Sequence, residues 1–100
     1  MVRHILFWKL RDEVRAADQA EHALEVLSAS VQTLRGIEGL RCAEIGRNLA
    51  GGPYDLVFYA EFDDMNALEH FRDHPLHVAH RERCAPFVND RLAGDLNRPD

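Results

Sequence analysis

Two stretches of this chain, VRHILFWKL (Val2–Leu10) and YDLVFYAEF (Tyr54–Phe62), are apolar at their odd and their even positions alike. A strand sends successive side chains to opposite sides, so a sheet with one wet face alternates apolar with polar. Here the even positions read Val2, His4, Leu6, Trp8, Leu10 and Tyr54, Leu56, Phe58, Ala60, Phe62. The odd positions read Arg3, Ile5, Phe7, Lys9 and Asp55, Val57, Tyr59, Glu61, apolar in the middle and charged at both ends. Neither face suits water, so the sheet must be covered twice.

The rest of the chain supplies cover for one side only. Ala20, Leu24, Leu27, Val31 and Leu34 keep the spacing of one buried stripe on a helix from about Asp18 to Arg35. Asp18 with Glu21 resembles a capping box, and Gly36 suits the stop. A second strand is expected over Leu40–Gly46, and GRNLAGGPYD reads as a hairpin loop whose glycines supply turn geometry. Tyr54–Phe62 follows as the third strand. A short helix over Met65–Asp73 is capped by Asp63 or Asp64. Pro75 interrupts it, Leu76–Arg83 adds another turn or two, and a last strand lies near Phe87–Leu96.

The order βαββαβ predicts an α+β, ferredoxin-like domain with a four-stranded antiparallel sheet, the first strand lying between the third and the fourth. One hundred residues make one domain, 1–100, with 97–100 as a loose tail. Pairing Arg3 with Glu61 sets Ile5 against Tyr59, Phe7 against Val57 and Lys9 against Asp55. Each odd-face pair is then apolar or opposite in charge, which favours that register. With no second helical layer available, the odd face (Ile5, Phe7, Val57, Tyr59) is expected to pack sheet to sheet in a homodimer. The alternative is a monomer with an exposed apolar sheet, and large patches of that kind are uncommon.

A net charge of −5 argues against a nucleic-acid partner. No apolar run approaches the roughly 18 residues that spanning a membrane needs, and the N-terminus does not read as a signal peptide. Cys42 and Cys84 have no metal-type spacing and are read as buried thiols in a reducing cytoplasm.

The opening VRHILFWKL, the hairpin entry YDLVFYAEFDD and the HPLHV after a short helix together resemble the stress-responsive A/B barrel (Dabb) family, within the dimeric α+β barrel superfamily. The likeness runs from about residue 2 to residue 96. It implies a dimer of ferredoxin-like units, in agreement with the two-face argument. A plant member of the family performs a polyketide aldol cyclisation without metal or organic cofactor, using a His in the first strand and the second His of HPxH. The matching positions are His4 and His77. That enzyme's third-strand His and the Tyr before HPxH are Leu56 and Phe71 here, so half of its polar pocket is replaced by apolar groups. Fold is shared far more widely than function.

A near-neutral imidazole can take a proton from a carbon beside a carbonyl. The even face sets His4 among Leu6, Trp8, Leu56, Phe58 and Phe71, and a helix closing over that face would bring His77 into the same space. These residues form the candidate ligand site, with no cofactor and no metal. The bland alternative is a hydrogen-bonded core His4 and a His77 that merely fixes the bend at Pro75. His70, His74, His77 and His80 would line one helix side, but Pro75 breaks it and no HExxH arrangement exists. His70, His74 and His80 are therefore read as surface or hinge residues and His22 as solvated. No Ser/His/Asp or Cys/His constellation is legible. Three functions are compatible with this reading. One is a dimer binding a small hydrophobic or carbonyl-bearing molecule, another a stress-protective dimer with a filled core. The third is a cofactor-independent cyclase, isomerase or monooxygenase using His4 and His77; Trp8 could serve substrate oxidation there, though a Trp at this position is more often a plain core residue.

Overall fold

The computed structural model describes residues 1–99. Its elements are β1 (Val2–Leu10), α1 (Asp12–Ala16), α2 (Ala20–Gln32), β2 (Leu40–Arg47), β3 (Leu56–Phe62), α3 (Met65–Asp73), α4 (Pro75–Cys84) and β4 (Val88–Asn97). The sheet order is β2-β3-β1-β4 with antiparallel neighbours throughout, the ferredoxin-like arrangement. The β1–β3 register is the expected one, Arg3 opposite Glu61, Ile5 opposite Tyr59 and Phe7 opposite Val57.

The Lys9–Asp55 pair does not form. Asp55 instead accepts from the Leu10 N–H at 2.8 Å and from Arg15 at 2.5 Å, closing the end of β1 onto α1. The Lys9 ammonium lies 3.9 Å from Asp90 and over the Tyr54 ring. The first helical region also differs from expectation. Asp18 does not cap a helix: it sits at φ 54° between α1 and α2, and Gln19 precedes α2 without a side-chain cap. The loose tail is partly tied down, because Asn97 closes β4 and the Arg98 N–H donates to the Met1 carbonyl at 2.8 Å. Asp100 lies outside the described residues.

Helix α2 lays Ala23, Leu27 and Val31 on the sheet, all at most 1 % exposed, while Ala20 and Leu24 are only half-buried. Phe62, Phe71, Leu34 and Leu68 complete the interior, and each large side chain removed from water stabilises the fold by about 1.5–3 kcal/mol. At its start β2 passes close under α3. Gly39 lies at φ 87° there, and a Cβ on it would stand 2.5 Å from that of Ala67. The α3–α4 joint is built by His74. Preceding a proline, it adopts an extended backbone (ψ 136°), and its Nδ1 accepts from the Leu76 N–H at 3.1 Å. Asp64 caps α3 by accepting from the Ala67 N–H.

The helices lie on the even face. On the other side Ile5, Phe7, Val57 and Tyr59 are half-buried, and Leu92 and Leu96 of β4 are each 54 % exposed. Among the described residues no helix is long and apolar enough to cross a membrane.

Candidate functional site

Between the even face of the sheet and the α3–α4 bend lies a cavity of about 130 Å³. Leu6, Trp8, Phe58, Leu68 and Phe71 form its apolar walls, and His4, His77, His80 and Asp95 supply polar groups. Antiparallel pairing of β1 with β4 sets His4 directly opposite Asp95. The His4 Nδ1 and the Asp95 carboxylate are 2.5 Å apart. An ionised carboxylate only accepts, so Nδ1 is the donor in this bond and Nε2 is the ring nitrogen left for another partner. The edges of Phe58 and Phe62 fix the ring from the apolar side, with centroids 6.2 and 6.4 Å away.

His77 enters from the first turns of α4. Its Nδ1 donates to the Arg72 carbonyl at 3.1 Å, and its ring lies over that of Phe71 at 4.1 Å between centroids. Burial holds its pKa below the ordinary imidazole value. The Arg72 carbonyl opposes that shift, while Coulombic interactions with Arg81, His4 and Arg91 add to it. His77 is therefore neutral at pH 7, with Nε2 free to accept.

His80 is one turn further along α4 and only 7 % exposed. Its Nδ1 is 2.8 Å from Ser30 Oγ, which also accepts from Arg83 at 2.9 Å, and its Nε2 is 3.5 Å from Cys84 Sγ. Burial lowers its pKa to about 4, with Coulombic help from His77 and Arg83. Burial likewise pushes the Cys84 thiol up to about 11 against the pull of Arg83. The Ser30–His80–Cys84 cluster is thus a neutral imidazole beside a thiol, not an activated nucleophile.

Of the residues expected from sequence, His4, Leu6, Trp8, Phe58, Phe71 and His77 meet at this cavity. Leu56 does not: it packs with Leu10, Leu27 and Cys84 in the neighbouring part of the core. His80 is not a surface residue, because the turn after Pro75 rotates it inward beside His77. His70 is exposed, His74 forms the bend, and His22 is exposed against Phe87. Cys42 is not buried; it stands on the edge strand β2. Among the described residues no three His, Cys, Asp or Glu side chains are grouped to hold a metal ion. Asp95 was not among the expected residues. Its signal lay in the pairing of β1 with β4, which is shifted by a bulge at Trp8/Lys9 and cannot be counted from the sequence.

The model of the stress responsive A/B barrel domain matches residues 2–98. An uncharacterized protein of Streptomyces coelicolor is 33% identical over 85 residues, covering 79% of this chain and 81% of its own length. A dimeric protein of unknown function with a ferredoxin-like fold from Bacteroides fragilis superposes with a TM-score of 0.82 at 27% identity, over 97% of this chain and 95% of that one. A Dabb family protein of ferredoxin-like fold from Mesorhizobium loti gives 0.77 at 28% identity, over 99% and 97%. Register, topology and the match over nearly the whole length lead to one conclusion: the chain belongs to the stress-responsive A/B barrel (Dabb) family.

Proposed function

We propose that this protein acts as a homodimer in which each protomer binds a small, largely apolar, carbonyl-bearing molecule between sheet and helices. The observation that carries the reading is the cavity itself. Apolar walls converge with two imidazoles whose Nδ1 atoms are both engaged elsewhere, His4 on Asp95 and His77 on the Arg72 carbonyl. Apolar space with a few oriented polar groups is the usual build of a ligand site. The bare odd face (Ile5, Phe7, Val57, Tyr59) is the proposed contact between protomers, and the related B. fragilis protein is itself dimeric.

The His4–Asp95 pair favours a catalytic role over passive storage. With Asp95 holding the tautomer, His4 Nε2 can take a proton from a carbon next to a carbonyl, as a general base. The C–H electron pair then forms the enolate double bond, and the carbonyl π pair moves to oxygen. His77 remains as a polar contact for the substrate. Phenylacetone in D2O tests both parts. Binding should move the ring-proton NMR signals of His4 and His77. The protein should also accelerate deuterium exchange at the carbon between ring and carbonyl, and His4→Ala should cut that acceleration by about 10²-fold. Unmoved imidazole signals would remove the ligand site. Exchange equally fast in His4→Ala would remove only the base.

A further inference from the structure

Arginines line the cavity, and two of them have no acidic partner among the described residues. Arg72, Arg81 and Arg91 line it. A second hollow of about 250 Å³ shares Trp8, Arg81, Cys84 and Arg91 with it and adds Arg11. The one acid at this groove is Asp95, already bonded to His4 and 3.9 Å from Arg72. Elsewhere Arg15 pairs with Asp55, Arg41 with Asp63 and Arg47 with Glu21, while Arg83 bonds to the Ser30 and Thr33 hydroxyls instead of an acid. Arg81 and Arg91 form no ion pair among the described residues, in a chain with 17 acidic side chains against 12 basic ones. Two guanidinium groups without an ion-pair partner line the same apolar hollows as the Trp8 indole and leave an unbalanced charge there.

We infer that the ligand is an organic anion whose carboxylate is held by Arg81 and Arg91 while its apolar body lies along Trp8 toward His4 and His77. This rests on the ligand-site reading and adds the substrate class to it. The chemistry suits the residues. Guanidinium binds carboxylate through parallel charge-assisted hydrogen bonds, and its planar, weakly hydrated face tolerates a position beside an aromatic ring. Placing the anion at Arg81 and Arg91 leaves the cavity end, with its two free Nε2 atoms, for the uncharged reacting part of the molecule. Arg91 comes from β4 and Arg81 from α4, so the anion would also bridge sheet and helix layers at this edge.

The test is a matched pair of probes, 3-phenylpropanoate and its neutral amide, titrated against the protein at low ionic strength with the His77 ring signal as reporter. The wild-type chain should favour the acid by about tenfold or more, since the charge-assisted bonds are lost in the amide. The Arg81→Gln/Arg91→Gln double variant should lose that preference while still binding the amide. Both side chains are exposed, so circular dichroism should show the fold retained. Equal affinity for acid and amide, or a preference that survives in the double variant, would overturn the carboxylate assignment and leave the ligand site standing. If neither probe moves His77 in the wild-type protein, the site and the assignment both fall.

Discussion

The two faces of one sheet have opposite fates. Beneath the helices Leu56, Phe58, Ala60 and Phe62 are at most 4 % exposed, whereas Val57 and Tyr59, alternating with them on the same strand, are half-covered. Leu92 and Leu96 extend the uncovered surface across β4. Both sets are apolar, so the difference lies in what the chain can place over them and not in the strands themselves. One face is finished within the protomer. The other has no such cover within the protomer.

Truncation should separate the two faces sharply. Phe62→Ala opens a cavity in the finished core, against Phe71 at 4.9 Å between ring centroids, and should cost about 3–5 kcal/mol in urea unfolding at any protein concentration. A loss below about 1 kcal/mol would mean that this face is far less closely packed than described.

Within the covered face, His80 gives a smaller and pH-dependent effect. Its pKa falls from 6.5 in the unfolded chain to about 4 in the fold. Below pH 6.5 the unfolded chain takes up a proton that the folded one refuses. The stabilisation is complete above that pH and is lost as pH drops toward 4. The loss is at most about 3 kcal/mol, with most of it between pH 6 and 4. Unfolding curves of the wild-type chain and His80→Gln should therefore converge as pH falls through this window. Curves that stay parallel would show that His80 is protonated in the native state.

Much of this was legible in advance. The β1–β3 register followed from matching Ile5 with Tyr59 and Phe7 with Val57, because residue pairs across a sheet are local facts once the topology is known. The bounds of β1 and α3, and the Asp64 cap, likewise depend on nearby residues. What escaped depended on distant ones. Asp55 left Lys9 for Leu10 N–H and Arg15 once α1 folded back, and the sequence around Asp12–Ala16 gives little periodicity to announce that helix. Half of the candidate site was visible in the same way. His4 and His77 could be placed by face and by motif, but Asp95 and Arg91 belong to a strand whose bulge sets which residues reach the cavity. His80 turned inward because Pro75 restarts the helix, and Ser30, fifty positions away, was there to meet it.

Sedimentation equilibrium tests the central contrast most directly. The wild-type protein should sediment as a species of twice the 11.4 kDa chain mass, and Phe7→Lys, which sets a charge in the middle of the bare face, as a folded species of the single chain mass. A wild-type chain that sediments at 11.4 kDa, with Ile5, Phe7 and Tyr59 facing water, would contradict it.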